Sequence, residues 1–177
     1  MIANELHTAR LLLRPFSEAD VDDVLAYAAD SEYARFIPVP IPYQRSDAEQ
    51  FVVQAMHAPE SNLIWAIEDE GRANGAIELH VDLENQHGEL HYAIARPLWG
   101  QGLMTEAVSA VIRYAFEELQ LNRVFARADI RNVGSWRVQE KAGMQREGIL
   151  RSNRVSKGER IDDVLCAILR EDWSPRT

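Results

Sequence analysis

Glu89-Leu90-His91-Tyr92-Ala93-Ile94-Ala95-Arg96-Pro97-Leu98-Trp99-Gly100-Gln101-Gly102-Leu103-Met104-Thr105-Glu106-Ala107 is the stretch whose reading decides the fold of this 177-residue chain. The residues 89–95 read as a strand, the glycines at 100 and 102 as a short loop, and a long helix begins at once. From Leu103 the apolar residues fall at Met104, Ala107, Val108, Val111, Ile112, Ala115, Phe116 and Leu119, a 3.6-residue period. Such a loop exposes consecutive backbone N–H groups, because glycine lets the chain approach an anion without a Cβ in the way. The helix N-terminus behind it adds unpaired donors and about half a positive charge. A diphosphate fits there. There is no Walker lysine after the loop, and a dinucleotide fingerprint would need a third glycine inside a βαβ unit.

Working outward, 63–67, 75–82 and 89–95 form an antiparallel meander with turns at Glu70-Gly71 and 85–88. Before it, Leu6 to Arg14 reads as one strand closed by Pro15. Ser17 caps a first helix carrying Val21, Val24, Leu25 and Ala28, and Ser46 or Asp47 caps a second with Phe51, Val52 and Met56. Between them Phe36 to Tyr43 holds prolines at 38, 40 and 42, which forces an extended apolar loop. After the long helix come a strand at 123–129, a helix over 133–142 ended by Gly143, and strands around 144–153 and 160–169. The class is α+β on one mixed sheet.

Composition narrows the function. With 46% hydrophobic and 27% charged residues the chain is an ordinary globular protein, read here as one domain over 1–177. No apolar run is long enough to span a bilayer, and the charged first thirty residues exclude a secretory signal. The lone Cys166 reads as a buried structural thiol, and a cytoplasmic location is expected. The net charge of −9 argues against nucleic-acid binding. It is unevenly spread: residues 121–160 hold ten Lys/Arg against four acids, while residues 1–120 carry a balance of −13. This suits a polyanion held in one place and a cation in another.

A second motif, Asn132-Val133-Gly134-Ser135-Trp136-Arg137-Val138-Gln139-Glu140-Lys141-Ala142-Gly143-Met144, follows directly on a strand. By itself it is helix punctuation, with Asn132 as N-cap. Together the two segments resemble the GNAT superfamily of acetyl-CoA-dependent N-acetyltransferases, in its RimJ/RimL-like branch. The pattern W-G-x-G-x-A-T-E-A is met from Trp99 to Ala107 except at Met104, where alanine is usual. The pattern N-x-x-S-x-x-x-x-E-K-x-G-[FM] is met at Asn132, Ser135, Glu140, Lys141, Gly143 and Met144. The opening Thr8 to Pro15 extends the resemblance over nearly the whole chain.

The resemblance implies a mostly antiparallel sheet, flanked by about four helices and splayed between the fourth strand (89–95) and the fifth (123–129). Acetyl-CoA would be the cosubstrate, with its pantetheine arm in the gap and no metal involved. Backbone groups of Tyr92, Ala93 and Ile94 would meet the arm, Trp99, Gly100, Gln101, Gly102, Leu103, Met104 and Thr105 would hold the pyrophosphate, and Asn132 would bond the arm from the far side. Ser135 and Lys141 complete the coenzyme contacts, and the basic stretch 121–160 would lie beside the phosphates. Many relatives place a tyrosine seven residues after the motif asparagine to protonate the leaving sulfur. Here that residue is Gln139, so Ser135 is the expected acid; Glu89 is the expected base and Asp129 the runner-up. His91 stands where the branch usually has glycine and is expected to pack beside Tyr92. His80, His87 and His91 do not make a metal site by strand alternation alone. The acceptor is an amine, either a protein N-terminus such as a ribosomal protein's or a small molecule, and Phe36, Tyr43 and the helices around them would shape its pocket. A non-catalytic coenzyme sensor and an interaction domain are the alternatives. Monomer and homodimer stay open.

Overall fold

The computed structural model describes residues 5–174. Its elements in chain order are β1 (Leu6–His7), β2 (Leu12–Arg14), α1 (Val21–Ala28), α2 (Ser31–Ala34), α3 (Arg45–Met56), β3 (Asn62–Asp69), β4 (Arg72–Asp82), β5 (His87–Ile94), α4 (Leu103–Glu117), β6 (Arg123–Asp129), α5 (Val133–Lys141), β7 (Gln145–Ser156) and β8 (Glu159–Leu169). The strands form one sheet in the order β1-β2-β3-β4-β5-β6-β8-β7. All its pairings are antiparallel except β5 with β6.

Strand alternation sends the two faces of the sheet to two cores. On one face Ile77, Leu79, Leu90, Val124 and Ala126 pack under α4, whose Ala107, Val108, Val111, Ile112, Ala115 and Phe116 are fully buried or nearly so. On the other face Ala66, Ala73 and Ala76 leave room for Phe16 and for Val24, Tyr27 and Val52 of α1 and α3. The small alanines let these helices approach closely.

The parallel pair decides where the site lies. β5 and β6 are in register from His87↔Arg123 to Leu90↔Ala126, and their pairing stops there although both strands continue. Tyr92 to Ile94 and Arg127 to Asp129 therefore diverge and leave a gap in the middle of the sheet.

Two local expectations are corrected. Leu6 to Arg14 is a hairpin of two short strands, because the Thr8 amide and hydroxyl both donate to the Leu11 carbonyl and turn the chain between them. The α3 cap is Gln44, with Asp47 in the third helical position reaching back to the Gln44 N–H at 2.7 Å. The expectation of about four flanking helices agrees with α1, α3, α4 and α5 among the described residues, to which the single turn α2 is added, its N-cap Asp30 accepting the Glu32 and Tyr33 amides.

Candidate active site

Gly100 and Gly102 hold φ of +75° and +80°, in the left-handed region. At Gly100 an added Cβ would meet nothing within 4 Å, so the backbone conformation and not crowding demands glycine there. The first intrahelical bond of α4 runs from the Glu106 amide to the Gly102 carbonyl. The amides of Leu103, Met104 and Thr105 thus stand ahead of the helix ladder, where an anion would meet them. The Trp99 indole N–H donates to the Ile94 carbonyl at 2.7 Å, tying the loop to the end of β5.

This loop is braced from the far end of the sequence. Glu106 accepts the Thr8 hydroxyl at 2.6 Å, the Arg10 amide at 2.8 Å and the Arg10 Nε at 2.7 Å, while Arg10 Nη1 donates to the Gln101 carbonyl at 3.0 Å. Burial pushes the Glu106 carboxyl up, but these donors outweigh it and hold it below the usual range. Sequence reading matched Thr8, Arg10 and Glu106 to a pattern without finding this clamp; the short polar residues flanking an apolar run were the available signal.

Two cavities of about 540 Å³ each open on the two faces of the sheet. The helix-face cavity is lined by Leu98 to Thr105, except Gln101, by the start of α5, and by Arg35, Arg131, Arg137 and Lys141. The loop-face cavity lies under α1, α3 and the Phe36–Tyr43 loop, with Glu78, His80, Glu89 and His91 along its sheet side. Tyr33, Phe36 and Ile37 line both, as do Tyr92, Ala93, Asn132 and Ser135 at the gap between β5 and β6.

Antiparallel pairing fixes which backbone groups face that gap. The Ala95 amide donates to the Asn74 carbonyl, and Ala93 stands opposite Ala76 two residues earlier in the same alternation, so Ala93 turns its N–H and C=O toward β4. Of the three residues expected to offer backbone groups to the gap, Tyr92 and Ile94 do so, and Ala93 does not. The Ile94 carbonyl is already engaged by Trp99.

At the meeting point, Asn132 Oδ1 accepts the Ser135 amide at 3.2 Å and caps α5. The Ser135 hydroxyl is free of that duty. It donates to Tyr92 Oη at 3.2 Å, and Tyr92 Oη donates in turn to the Ser135 carbonyl at 2.9 Å. Burial pushes the Tyr92 phenol up to about 12. Gln139, at the position where many relatives place a tyrosine, is fully buried beside this phenol.

The carboxylates are held by arginines. Glu89 is gripped by Arg127 at 2.7 and 3.0 Å, with His91 Nε2 at 3.6 Å. Asp129 is 4% exposed and bound by Arg131 at 2.7 Å, which holds its carboxyl low. His91 packs on His80, ring centroids 4.8 Å apart, rather than on Tyr92. Burial lowers its pKa. The expected basic surface is also corrected: Arg123, Arg127, Arg131 and Arg154 are used in ion pairs with Glu147, Glu89, Asp129 and Asp163. Only part of the positive segment, Arg131, Arg137 and Lys141, borders the helix-face cavity. Cys166 is buried, and burial pushes its thiol up to about 11. Among the described residues no cluster suits a metal ion, and no helix is long and apolar enough to cross a membrane.

The fold is that of an acetyltransferase. The structure of an acetyltransferase (GNAT family) from Bacillus anthracis superposes with a TM-score of 0.86 at 29% identity, over 95% of this chain and 99% of that one. An acetyltransferase (GNAT) domain model matches residues 10–145, and the chain belongs to that family. The N-acetyltransferase YnaD of Bacillus subtilis (strain 168) is 29% identical over 94% of this chain and 98% of its own. The [ribosomal protein uS5]-alanine N-acetyltransferase of Escherichia coli (strain K12) is 33% identical over 49% of this chain and 44% of its own. The protein is an acetyltransferase enzyme of mixed α+β fold.

Proposed function

We propose that the enzyme moves an acetyl group from acetyl-CoA to an amine that enters from the opposite face of the sheet. The observation that carries this is the pair of cavities meeting at Tyr92, Ala93, Asn132 and Ser135. The donor set suits the coenzyme: left-handed glycines and free helix amides for a diphosphate, Arg137 and Lys141 nearby for further phosphates, and a narrow gap for an extended arm. Bound acetyl-CoA supplies an activated acyl group and a thiol leaving group. Trp99, Gly100, Gly102 to Thr105 and Lys141 would hold its phosphates, and the backbones of Tyr92 and Ile94 with Asn132 would orient the arm, while Gln101, outside the cavity lining, braces the loop.

Much of the acceleration comes from holding the two partners together. The Tyr92 or Ile94 N–H facing the gap is the donor for negative charge on the carbonyl oxygen. Ser135 turns its hydroxyl from Tyr92 to donate a hydrogen bond to the departing thiolate, which takes its proton from solvent, with Tyr92 as the positioning residue that holds that hydroxyl in the gap. Glu89, oriented by Arg127, takes the amine proton directly or through a water. The acceptor is a protein N-terminal amine, as in the ribosomal-protein relative, or a small amine.

Two measurements test this. Acetyl-CoA at a hundred times its Kd should add about 2.7 kcal/mol of stability, seen as a thermal shift. Mixed with an amine panel, the enzyme should release free thiol. A thermal shift without thiol release would leave a coenzyme-binding protein that is not this catalyst; absence of both would end the proposal.

A further inference from the structure

The loop-face cavity carries more than an entry route, and its chemistry is uneven. One side is built of aromatic rings: Tyr27, Tyr33, Phe36, Tyr43 and Phe51. Tyr27 and Tyr33 are 7% exposed and stand 5.1 Å apart between ring centroids. The opposite side is the β4–β5 surface, where the ionisable groups lie. Both arginines that border the cavity, Arg127 of β6 and Arg154 of β7, are already engaged, Arg127 by Glu89 at 2.7 and 3.0 Å and Arg154 by Asp163 at 3.1 Å. Asp129 is held by Arg131. Glu78 is the one bordering carboxylate, among the described residues, that no arginine is shown to hold; its recorded partner is His80 at 3.2 Å.

We infer that the acceptor is an amine bearing a single positive charge on a ring-sized apolar body, with no carboxylate near the amine. The inference rests on the reading of this cavity as the acceptor site. A free amino acid would bring a carboxylate into a cavity whose arginines are both committed, and stripping one from its partner would leave a buried acid unpaired. A polyamine would bring several charges to a site with one carboxylate to spare, and the phenol hydroxyls of Tyr27, Tyr33 and Tyr43 offer hydrogen bonds but no negative charge to balance the rest. A single ammonium finds Glu78 and the electron-rich ring faces, and sheds its proton before attack. An apolar ring fills the space beneath the Phe36–Tyr43 loop. The chemistry is shared by arylalkylamines and by peptides that begin with an aromatic residue.

The test is thiol release from acetyl-CoA by the full chain, with kcat/KM measured for phenethylamine, a Phe-headed peptide amide, an Ala-headed peptide amide, phenylalanine, spermidine and ethylamine. Phenethylamine or the Phe-headed peptide should exceed phenylalanine, spermidine and the Ala-headed peptide by about tenfold or more, the equivalent of burying part of one ring. Whichever of the two is better identifies the source. Phe36→Ala should lower the ratio of phenethylamine to ethylamine kcat/KM about fivefold to tenfold, a change that general loss of fold would not produce because it moves both rates together. Glu78→Gln should raise KM for phenethylamine while kcat moves less. Spermidine, phenylalanine or the Ala-headed peptide as the best acceptor would overturn the inference while leaving acetyl transfer in place. No thiol release in any arm would overturn both.

Discussion

Replacing Tyr92 by phenylalanine removes one oxygen atom from the place where the two cavities meet. That oxygen donates to the Ser135 carbonyl at 2.9 Å and accepts the Ser135 hydroxyl at 3.2 Å. The ring and the backbone facing the gap stay. One neutral hydrogen bond contributes about 0.5–1.5 kcal/mol net, and the Ser135 carbonyl keeps its place in the α5 ladder, so Tyr92→Phe should destabilise the fold by about 0.5–1.5 kcal/mol in urea titration. The kinetic effect is separate. With its anchor gone, the Ser135 hydroxyl spreads over three staggered rotamers, and dilution of one productive rotamer to about a third costs about threefold in kcat. Loss of further alignment would bring this to about tenfold. KM for acetyl-CoA should stay within about twofold, since the coenzyme contacts assigned to Tyr92 are backbone ones. Ser135→Ala should cost about a hundredfold, the lower end for loss of a hydrogen-bond donor to a developing anion. In the Ser135→Ala background Tyr92→Phe should then have no further effect on kcat, because its target is absent. Independent, multiplicative losses in the double variant would refute the positioning role. A Ser135→Ala enzyme within threefold of the parent would refute the donor itself.

Three further outcomes are expected. Gly102→Ala forces a Cβ into φ of +80° and should cost about 1–2 kcal/mol locally; the measurable sign is a raised KM for acetyl-CoA and a smaller thermal shift with the coenzyme, larger than any change in acceptor KM. Glu106→Ala unties Thr8 and Arg10 from α4 and should lower the urea midpoint by an amount worth about 1.5–3 kcal/mol, with coenzyme affinity falling alongside because the brace on Gln101 loosens. On acidification, burial pushes Asp20 up but Arg14 and Ser17 hold it net below the usual carboxylate range, and Glu106 is likewise lowered. A folded-state pKa below the unfolded one gives stability that is whole above the unfolded value, about 4, and lost as pH falls through the lowered ones. The urea midpoint should therefore be flat near neutrality and fall below about pH 4, and Asp20→Asn should flatten that fall.

Elements with a clean period were legible in the sequence. The apolar repeat from Leu103 to Phe116 gave α4, and the alternation of 75–82 and 89–95 gave two meander strands, because one buried face dictates residue type at each step. What failed was local chemistry between periods. Leu6 to Arg14 looks continuous because its break depends on Thr8 hydrogen-bonding across three residues, a turn with no glycine or proline to mark it. The α3 cap was misplaced because Asp47 works backward from the third helical position, and a short acid near a helix start is compatible with either role.

The site was legible in its backbone parts and obscure in its side-chain parts, and the reason is physical. A left-handed glycine pair and a capping asparagine are set by local geometry, which sequence spacing encodes. Charge is not so encoded: ten basic residues in one segment suggested a phosphate-facing patch, yet three of the arginines find acids brought close by the sheet and Arg131 pairs with Asp129 two residues before it. Those pairs leave the loop-face cavity without an available arginine, and so change which acceptor it suits. The missing tyrosine follows the same logic. Gln139 removes a phenol from α5, and Tyr92 supplies one from β5, 43 residues away in sequence but bonded to Ser135 through the gap. The parted strands bring that phenol and the Ser135 hydroxyl to one point, and the role proposed for Ser135 rests on the phenol holding its hydroxyl in place.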